Sequence, residues 1–164
     1  FNSIFDGIFE GIKIKKIGIY AFINSNFSGS LSLPVCEQIG DRAFQFSNFS
    51  GELSLPVCEQ IGMDAFKHSN FSGSLSLPVC VEIGDLAFRY SNFSGLLNLP
   101  VCTYIGAYTF EYSNFNKITI GANAVLGNYC IGAHSTEFIQ DYAANNKLAG
   151  TYVWDAGTNH WIYQ

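Results

Sequence analysis

The sequence predicts a mostly-β repeat solenoid, and three observations carry that prediction. A 22-residue unit recurs almost verbatim down the chain. All four prolines and four of the five cysteines fall at fixed positions within it. Ten of the fifteen phenylalanines occupy two further fixed positions. A period of tens of residues marks an architecture in which each unit buries its apolar face only against its neighbours.

Full units run over residues 17–38, 39–60, 61–82 and 83–104, with a degenerate one at 105–126 and a partial one at 1–16. Their shared text is I-G-x-x-A-F-x-x-S-N-F-S-G-x-L-x-L-P-V-C-x-x. Residues 1–134 therefore form the solenoid and 135–164 a C-terminal cap.

Along the chain, Ile12-Lys13-Ile14 keeps the alternation of a strand in the partial first coil. In each full coil, Leu-x-Leu (Leu53-Ser54-Leu55, for example) alternates apolar and polar as a strand with one inward face does. Pro34, Pro56, Pro78 and Pro100 follow, and proline ends a ladder and marks a corner. The cysteine and the next isoleucine give a second inward stretch, after which Gly40, Gly62, Gly84 and Gly106 allow a turn. Ala43-Phe44 and its counterparts suit a short helical or 3₁₀ turn on the opposite side. Phe49 and its counterparts close the coil, giving two columns of stacked rings.

The Ser-Asn-Phe-Ser element carries N-x-S sequons at Asn26, Asn48, Asn70 and Asn92. These read either as glycan acceptors or as an asparagine ladder that satisfies backbone at the bend, and repetition with the core positions favours the ladder. Beyond Ile118-Thr119-Ile120, residues 136–145 form an amphipathic helix. Residues 151–154 and 160–163 then form a hairpin around a turn at 155–159. Such a tail covers the last apolar coil; the alternative is an aromatic site built from Tyr152, Trp154, Trp161 and Tyr163.

Composition narrows function. The net charge of −5, with no stripe of Lys or Arg, argues against nucleic acid and acidic membranes. No apolar run approaches the ~18 residues of a membrane span, so membrane insertion is not expected. The chain begins at Phe1 and its single methionine is Met63, which reads as a processed form or a fragment of a longer array. Cys36, Cys58, Cys80 and Cys102 recur 22 residues apart, so on neighbouring coils their side chains point the same way at ~4.8 Å. That geometry does not supply the turned dihedral of a disulfide, and free buried thiols are expected. Cys130 lies outside this ladder and is the thiol expected to be exposed.

Enzymatic readings fail on inventory. His68, His134 and His160 are scattered, and no G-x-S-x-G, H-E-x-x-H or phosphate-cradling loop is present. No cofactor is expected, and no zinc site, because cysteine and histidine lack ligand spacing. Glu37, Glu59, Glu82, Asp41, Asp64 and Asp85 fall near one corner and read as a solvated acidic edge rather than a cation site.

Candidate ligand contacts are the positions that project outward. On the strand face they are Ser32, Glu52, Ser54, Ser74, Ser76 and Asn98. After the Ala-Phe turn a second line comprises Phe46, His68, Tyr90 and Tyr112. An exposed aromatic line suits a protein or glycan contact, and ring-on-ring stiffening of the solenoid is the structural alternative.

The residues I-G-x-x-A-F followed by F-S-G-x-L-x-L-P resemble the BspA-type leucine-rich repeat family of bacterial surface proteins. The resemblance covers residues 17–120 and implies a curved, right-handed leucine-rich-repeat solenoid with short strands and helical turns, capped by helix and hairpin. Family members often carry Cys after the Ala-Phe turn, where this chain has Ser25, Ser47, Ser69, Ser91 and Ser113. The implied role is non-enzymatic adhesion or recognition of a protein or glycan, host matrix included, by an exported monomeric module at the cell surface. A structural spacer, or an accessory module of a larger secreted protein, is the alternative.

Overall fold

The computed structural model describes residues 9–10 and 13–164. The elements in chain order are β1 (Phe9–Glu10), β2 (Lys16–Ile17), β3 (Ser28–Ser32), β4 (Gln38–Ile39), β5 (Asn48–Ser54), β6 (Gln60–Ile61) and β7 (Ser72–Ser76). They continue with β8 (Glu82–Ile83), β9 (Asn92–Leu99), β10 (Tyr104–Ile105), β11 (Asn114–Ile120) and β12 (Val125–Leu126). The cap is α1 (Ser135–Ala144), β13 (Gly150–Asp155) and β14 (His160–Tyr163). The chain winds as a mostly-β solenoid whose coils stack through parallel ladders.

Each coil contributes twice. Its Leu-x-Leu segment joins the broad strand face, and its two-residue strand joins a narrow sheet ordered β12-β10-β8-β6-β4-β2. Pairing in the narrow sheet joins equivalent residues, as in Ile39 with Ile61 and Ile61 with Ile83. Leucine, cysteine, isoleucine, alanine and both phenylalanine columns fill the interior, most with no exposed surface. Successive rings in one column lie 5.1–5.2 Å apart from Phe22 through Phe110. The columns meet edge-on, as at Phe44 and Phe49 with centroids 5.7 Å apart. Each such contact adds roughly 0.5–1.5 kcal/mol beyond area burial.

Several sequence expectations are corrected. The described part of Ile12-Lys13-Ile14 is not strand; the partial coil instead pairs Phe9 with Leu31 and Glu10 with Ser32, and Ile12 lies outside the described residues. The stretch around Ala43-Phe44 is not helical. Ala43, Gln45 and Ser47 donate backward within their own coil, while Arg42, Phe44 and Phe46 donate to Met63, Ala65 and Lys67 of the next. Alternate N–H groups therefore point along the solenoid axis, which a helical turn forbids. This geometry places Arg42 and Phe46 at φ 54° and 60°, in the left-handed region.

The glycine column is fixed by space rather than by a turn. A Cβ on Gly40 would sit 2.7 Å from the Ile19 nitrogen, because adjacent coils approach most closely there. The bend ladder is built by serine, not asparagine. Ser25 and Ser47 hydroxyls share a 2.9 Å bond, and Ser91 and Ser113 donate to the Ser69 and Ser91 carbonyls at 3.0 and 3.3 Å. The asparagines point to solvent because they begin the strand on its outward phase. Asp64 leaves the acidic edge: it is buried and pairs with Arg42 and Lys67 at 3.3 and 3.0 Å.

Cys130 is fully buried, not exposed, because the cap closes over it and Ser135 lies beside its sulfur. All five cysteines are free. Burial pushes their thiols up, to about 12 at Cys58 and Cys130 and about 11 at Cys102.

At the C-terminal end β13 pairs antiparallel with β11, so the last parallel strand presents no open edge. Tyr142 on α1 donates to the Gly121 carbonyl at 2.6 Å and accepts from the Ala124 amide at 2.9 Å, pinning the helix across the final coil. Tyr152 and Trp161 are buried beneath it, so two of the four tail aromatics are core. Trp154 stacks on His134 with centroids 3.8 Å apart.

Candidate functional site

Three surfaces line up along the stack, each made by one repeat position. The first is the aromatic column. Phe46, His68, Tyr90 and Tyr112 all sit at φ between 60° and 79°. A left-handed non-glycine residue costs roughly 1–2 kcal/mol. Two compensations are visible. Phe46, His68 and Tyr90 donate their amides to Lys67, Arg89 and Glu111 at 2.9, 2.9 and 3.2 Å. The rings then stack in one file with centroids 4.6, 4.2 and 4.7 Å apart.

Phe46 and Tyr112 at the two ends are 47% and 60% exposed, and the middle rings are half-buried. Arg89 covers the Tyr90 face at 4.7 Å while pairing with Glu111. Burial, helped by Lys67 and Arg89, holds His68 below the usual imidazole range. The column thus both stiffens the solenoid and presents aromatic surface; the two sequence alternatives coexist.

The second surface is the strand face. Glu52, Ser54, Ser74 and Ser76 are exposed, and Ser32 and Asn98 are half-buried. Asn98 donates to Ser76 Oγ at 2.9 Å. The ladder here is not continuous. β1-β3-β5 form one sheet and β14-β13-β11-β9-β7 another, with β5 and β7 unpaired. Side chain and backbone both differ at the gap. At two closed junctions a serine hydroxyl accepts an amide from the next strand: Ser30 from Glu52 at 3.1 Å, and Ser74 from Leu96 at 3.2 Å.

Between β5 and β7 the corresponding residue is Glu52 and makes no such bridge, yet β9 pairs with β11 across Leu96 without one, so the missing hydroxyl alone does not open the ladder. The preceding glycine differs as well. Gly29, Gly73 and Gly95 have φ of 77°, 79° and 75°, whereas Gly51 lies outside the left-handed region. Leu33 and Leu77 donate to Ser54 and Asn98 at 3.0 Å, and Leu55 makes no such bond to the next coil. The result is an open cleft of about 610 Å³ lined by Glu52, Ser54, Ser74 and Ser76. Sequence reasoning named these four residues but did not foresee the cleft, although the Ser-to-Glu change at 52 was its visible signal. In each coil the Ser-Asn bend separates the column residue from the strand-face residues, so the two lines run along the solenoid without merging.

The third surface takes in Asp41, Glu82 and Asp85 of the acidic edge, although the sequence does not show the groove they line. On the narrow sheet a groove of about 630 Å³ runs from Lys16 to Tyr104. Glycines of the I-G pair form its floor. The line Gln38, Gln60, Glu82 and Tyr104 stands on one side, and Ile19, Asp41, Met63 and Asp85 on the other. Gln38 donates to Gln60 at 3.0 Å, and Asp41 and Asp85 each accept one backbone amide from the next coil. The recurrence of I-G in every repeat is the signal for it in the sequence.

Among the described residues no group of three or more His, Cys, Asp or Glu could hold a metal ion. Among them, too, no helix is long and apolar enough to cross a membrane. No curated protein and no solved structure matches the chain. A family model does match: the BspA type leucine rich repeat region, in six copies over residues 3–137. Six is also the number of units read from the sequence: four full, one degenerate and one partial. With that match spanning most of its length and the coil geometry agreeing throughout, the chain belongs to the BspA-type leucine-rich repeat family.

Proposed function

We propose that the chain is a non-enzymatic recognition module of an exported cell-surface protein, binding a protein ligand as a monomer. The aromatic column and the adjoining strand face supply the contact, through Phe46, His68, Tyr90, Tyr112, Ser54 and Ser76. One observation carries this reading: within a repeat that is otherwise almost verbatim, the column position changes from Phe to His to Tyr while remaining in file and partly exposed. Exposed tyrosines held rigidly by their neighbours lose little entropy on contact and are over-represented among residues that dominate binding energy.

A second reading, the structural spacer, is favoured by the near-identity of the serine-rich strand faces, since recognition surfaces usually diversify. Binding of the purified chain to immobilised matrix proteins and to a glycan array separates the two, with Y90A/Y112A and S54A/S76A variants alongside. Loss of a specific signal by about tenfold or more in the first pair supports the column as the contact. No signal above background from folded protein supports the spacer. A signal lost only with S54A/S76A transfers the contact to the strand face.

A further inference from the structure

With the bend ladder built by serine, the asparagine that follows it in each coil is left without structural work. Asn26, Asn48, Asn70 and Asn92 are exposed, and so is the serine two residues beyond each of them. The side-chain bonds of the bend belong to Ser25, Ser47, Ser91 and Ser113; among the described residues none is made by these asparagines or by the serines that follow them. The stack uses only the main chain here: the Asn70 amide donates to the Phe49 carbonyl at 2.7 Å, and the Asn92 amide to the Phe71 carbonyl at 2.8 Å. A group added to the side chain therefore leaves the ladder intact. Outward positions on either side change from coil to coil, as Phe46, His68 and Tyr90 do, and Glu52, Ser74 and Leu96. N-F-S stands unaltered in four successive coils.

An exposed Asn-x-Ser without proline at its centre is an acceptor for N-linked glycan transfer. Asparagine Nδ2 bonds to C1 of the first sugar of a polyprenyl-pyrophosphate-linked oligosaccharide. The C1–O bond to the pyrophosphate breaks, polyprenyl pyrophosphate leaves, and the amide gives up one proton. The serine supplies the hydroxyl that the transferase reads, and the glycan needs open solvent beyond the asparagine. Each of the four coils meets both needs. Asn48 pairs across the ladder with Ser28, not Asn26, and Asn92 with Ser72, not Asn70, so successive acceptors are staggered rather than abreast. The fifth coil is a built-in control: it reads Asn114-Phe115-Asn116, without the hydroxyl, and Asn114 bridges to Gly132 beside the cap.

We propose that Asn26, Asn48, Asn70 and Asn92 are N-glycan acceptors, a file of modification sites along the seam between the aromatic column and the strand face. The proposal rests on the export in the recognition reading, since transfer takes place in a secretory compartment. Mass spectrometry of the full chain recovered from the surface of its own cells tests it, before and after peptide-N-glycosidase in heavy-oxygen water. Release should leave labelled aspartate at the four positions and none at Asn114. S50A should abolish the label at Asn48 alone, and neither S50A nor N48Q should shift the melting temperature of the bare polypeptide. A surface-recovered chain with the mass of the bare polypeptide overturns the proposal, as does label at Asn48 surviving S50A. A lower melting temperature in bare N48Q also overturns it, by giving the asparagine a structural role. Running the binding screen on the glycosidase-treated chain as well keeps the two readings apart. A glycosylated chain that binds nothing, before or after release, refutes recognition alone, and a bare surface chain that binds refutes the glycans alone.

Discussion

Replacing Gly62 with alanine should damage this protein far more than replacing Gly73, although both glycines recur in the repeat. At Gly62 the added methyl would meet the Asp41 nitrogen at 2.6 Å and the Gly40 carbonyl carbon at 2.8 Å. Carbon atoms in good contact are ~3.5–4.0 Å apart, so adjacent coils would have to separate by ~0.7 Å or more. That separation stretches the bond from the Gly62 amide to the Ile39 carbonyl, now 2.8 Å, and from the Met63 amide to Asp41, now 2.9 Å. Overpacking costs about 1–3 kcal/mol, and each weakened bond about 1 kcal/mol more, so G62A should lose roughly 3–5 kcal/mol.

Gly73 has nothing within 4 Å of its hypothetical Cβ, but its φ is +79°. G73A therefore bears only the left-handed penalty, about 1–2 kcal/mol. Urea unfolding followed by circular dichroism measures the difference as a shift in midpoint at unchanged slope. Fluorescence of Trp154 and Trp161, both in the cap, reports whether the two ends unfold together, as a repeat array need not. A G62A midpoint no lower than that of G73A would refute the claim that coil spacing, not backbone freedom, keeps glycine in the groove floor.

Two further predictions concern the interior and the interrupted ladder. The buried thiols titrate well above the ~8.5 of an unfolded cysteine, so the folded state holds their protons longer. Their contribution is complete below pH ~8.5 and declines as pH rises toward the folded values, by at most about 1.4 kcal/mol per pH unit per thiol. Melting temperature should fall between pH 8.5 and 10, and C58A/C80A should flatten the slope; a flat profile in the parent protein contradicts the assignment. In the strand face, E52S restores the hydroxyl found at 30 and 74, and should pair β5 with β7. Amide exchange at Leu55, faster than at Leu33 or Leu77 in the parent, should then slow to match them; unchanged exchange would show that Glu52 is not the cause of the gap.

How much of this was legible in the sequence depended on whether a residue's role was set by its own coil or by the next one. The alternation of Leu53 and Leu55, the corner at Pro56, the buried cysteines and both phenylalanine columns follow from periodicity, because inward and outward phases are local. The helix at Ser135–Ala144 and the hairpin after it were likewise readable from amphipathic spacing and turn residues. The errors share one origin. Arg42 and Phe46 lie in left-handed turns, Gly62 is pressed by Asp41, and Ser47 rather than Asn48 forms the bend ladder, all because of contacts 21 or 22 residues away. Cys130 fails for a similar reason, since the cap that buries it begins five residues later, at Ser135.

The two departures from repeat regularity bear on the choice between recognition and spacer. A stalk that only transmits stiffness is best served by identical junctions, because each unpaired ladder is a place to flex. Serine at 52 would restore the bridge seen at Ser30 and Ser74, yet the chain carries glutamate and leaves a cleft open on the strand face. The column varies among Phe, His and Tyr across the Ser-Asn bend from that face, where identical rings would stack as well. Both departures concern outward-facing positions and leave the core text untouched. A cost confined to the outward face, with the interior kept regular, is what a surface shaped for a ligand requires, and it weighs toward recognition over the spacer.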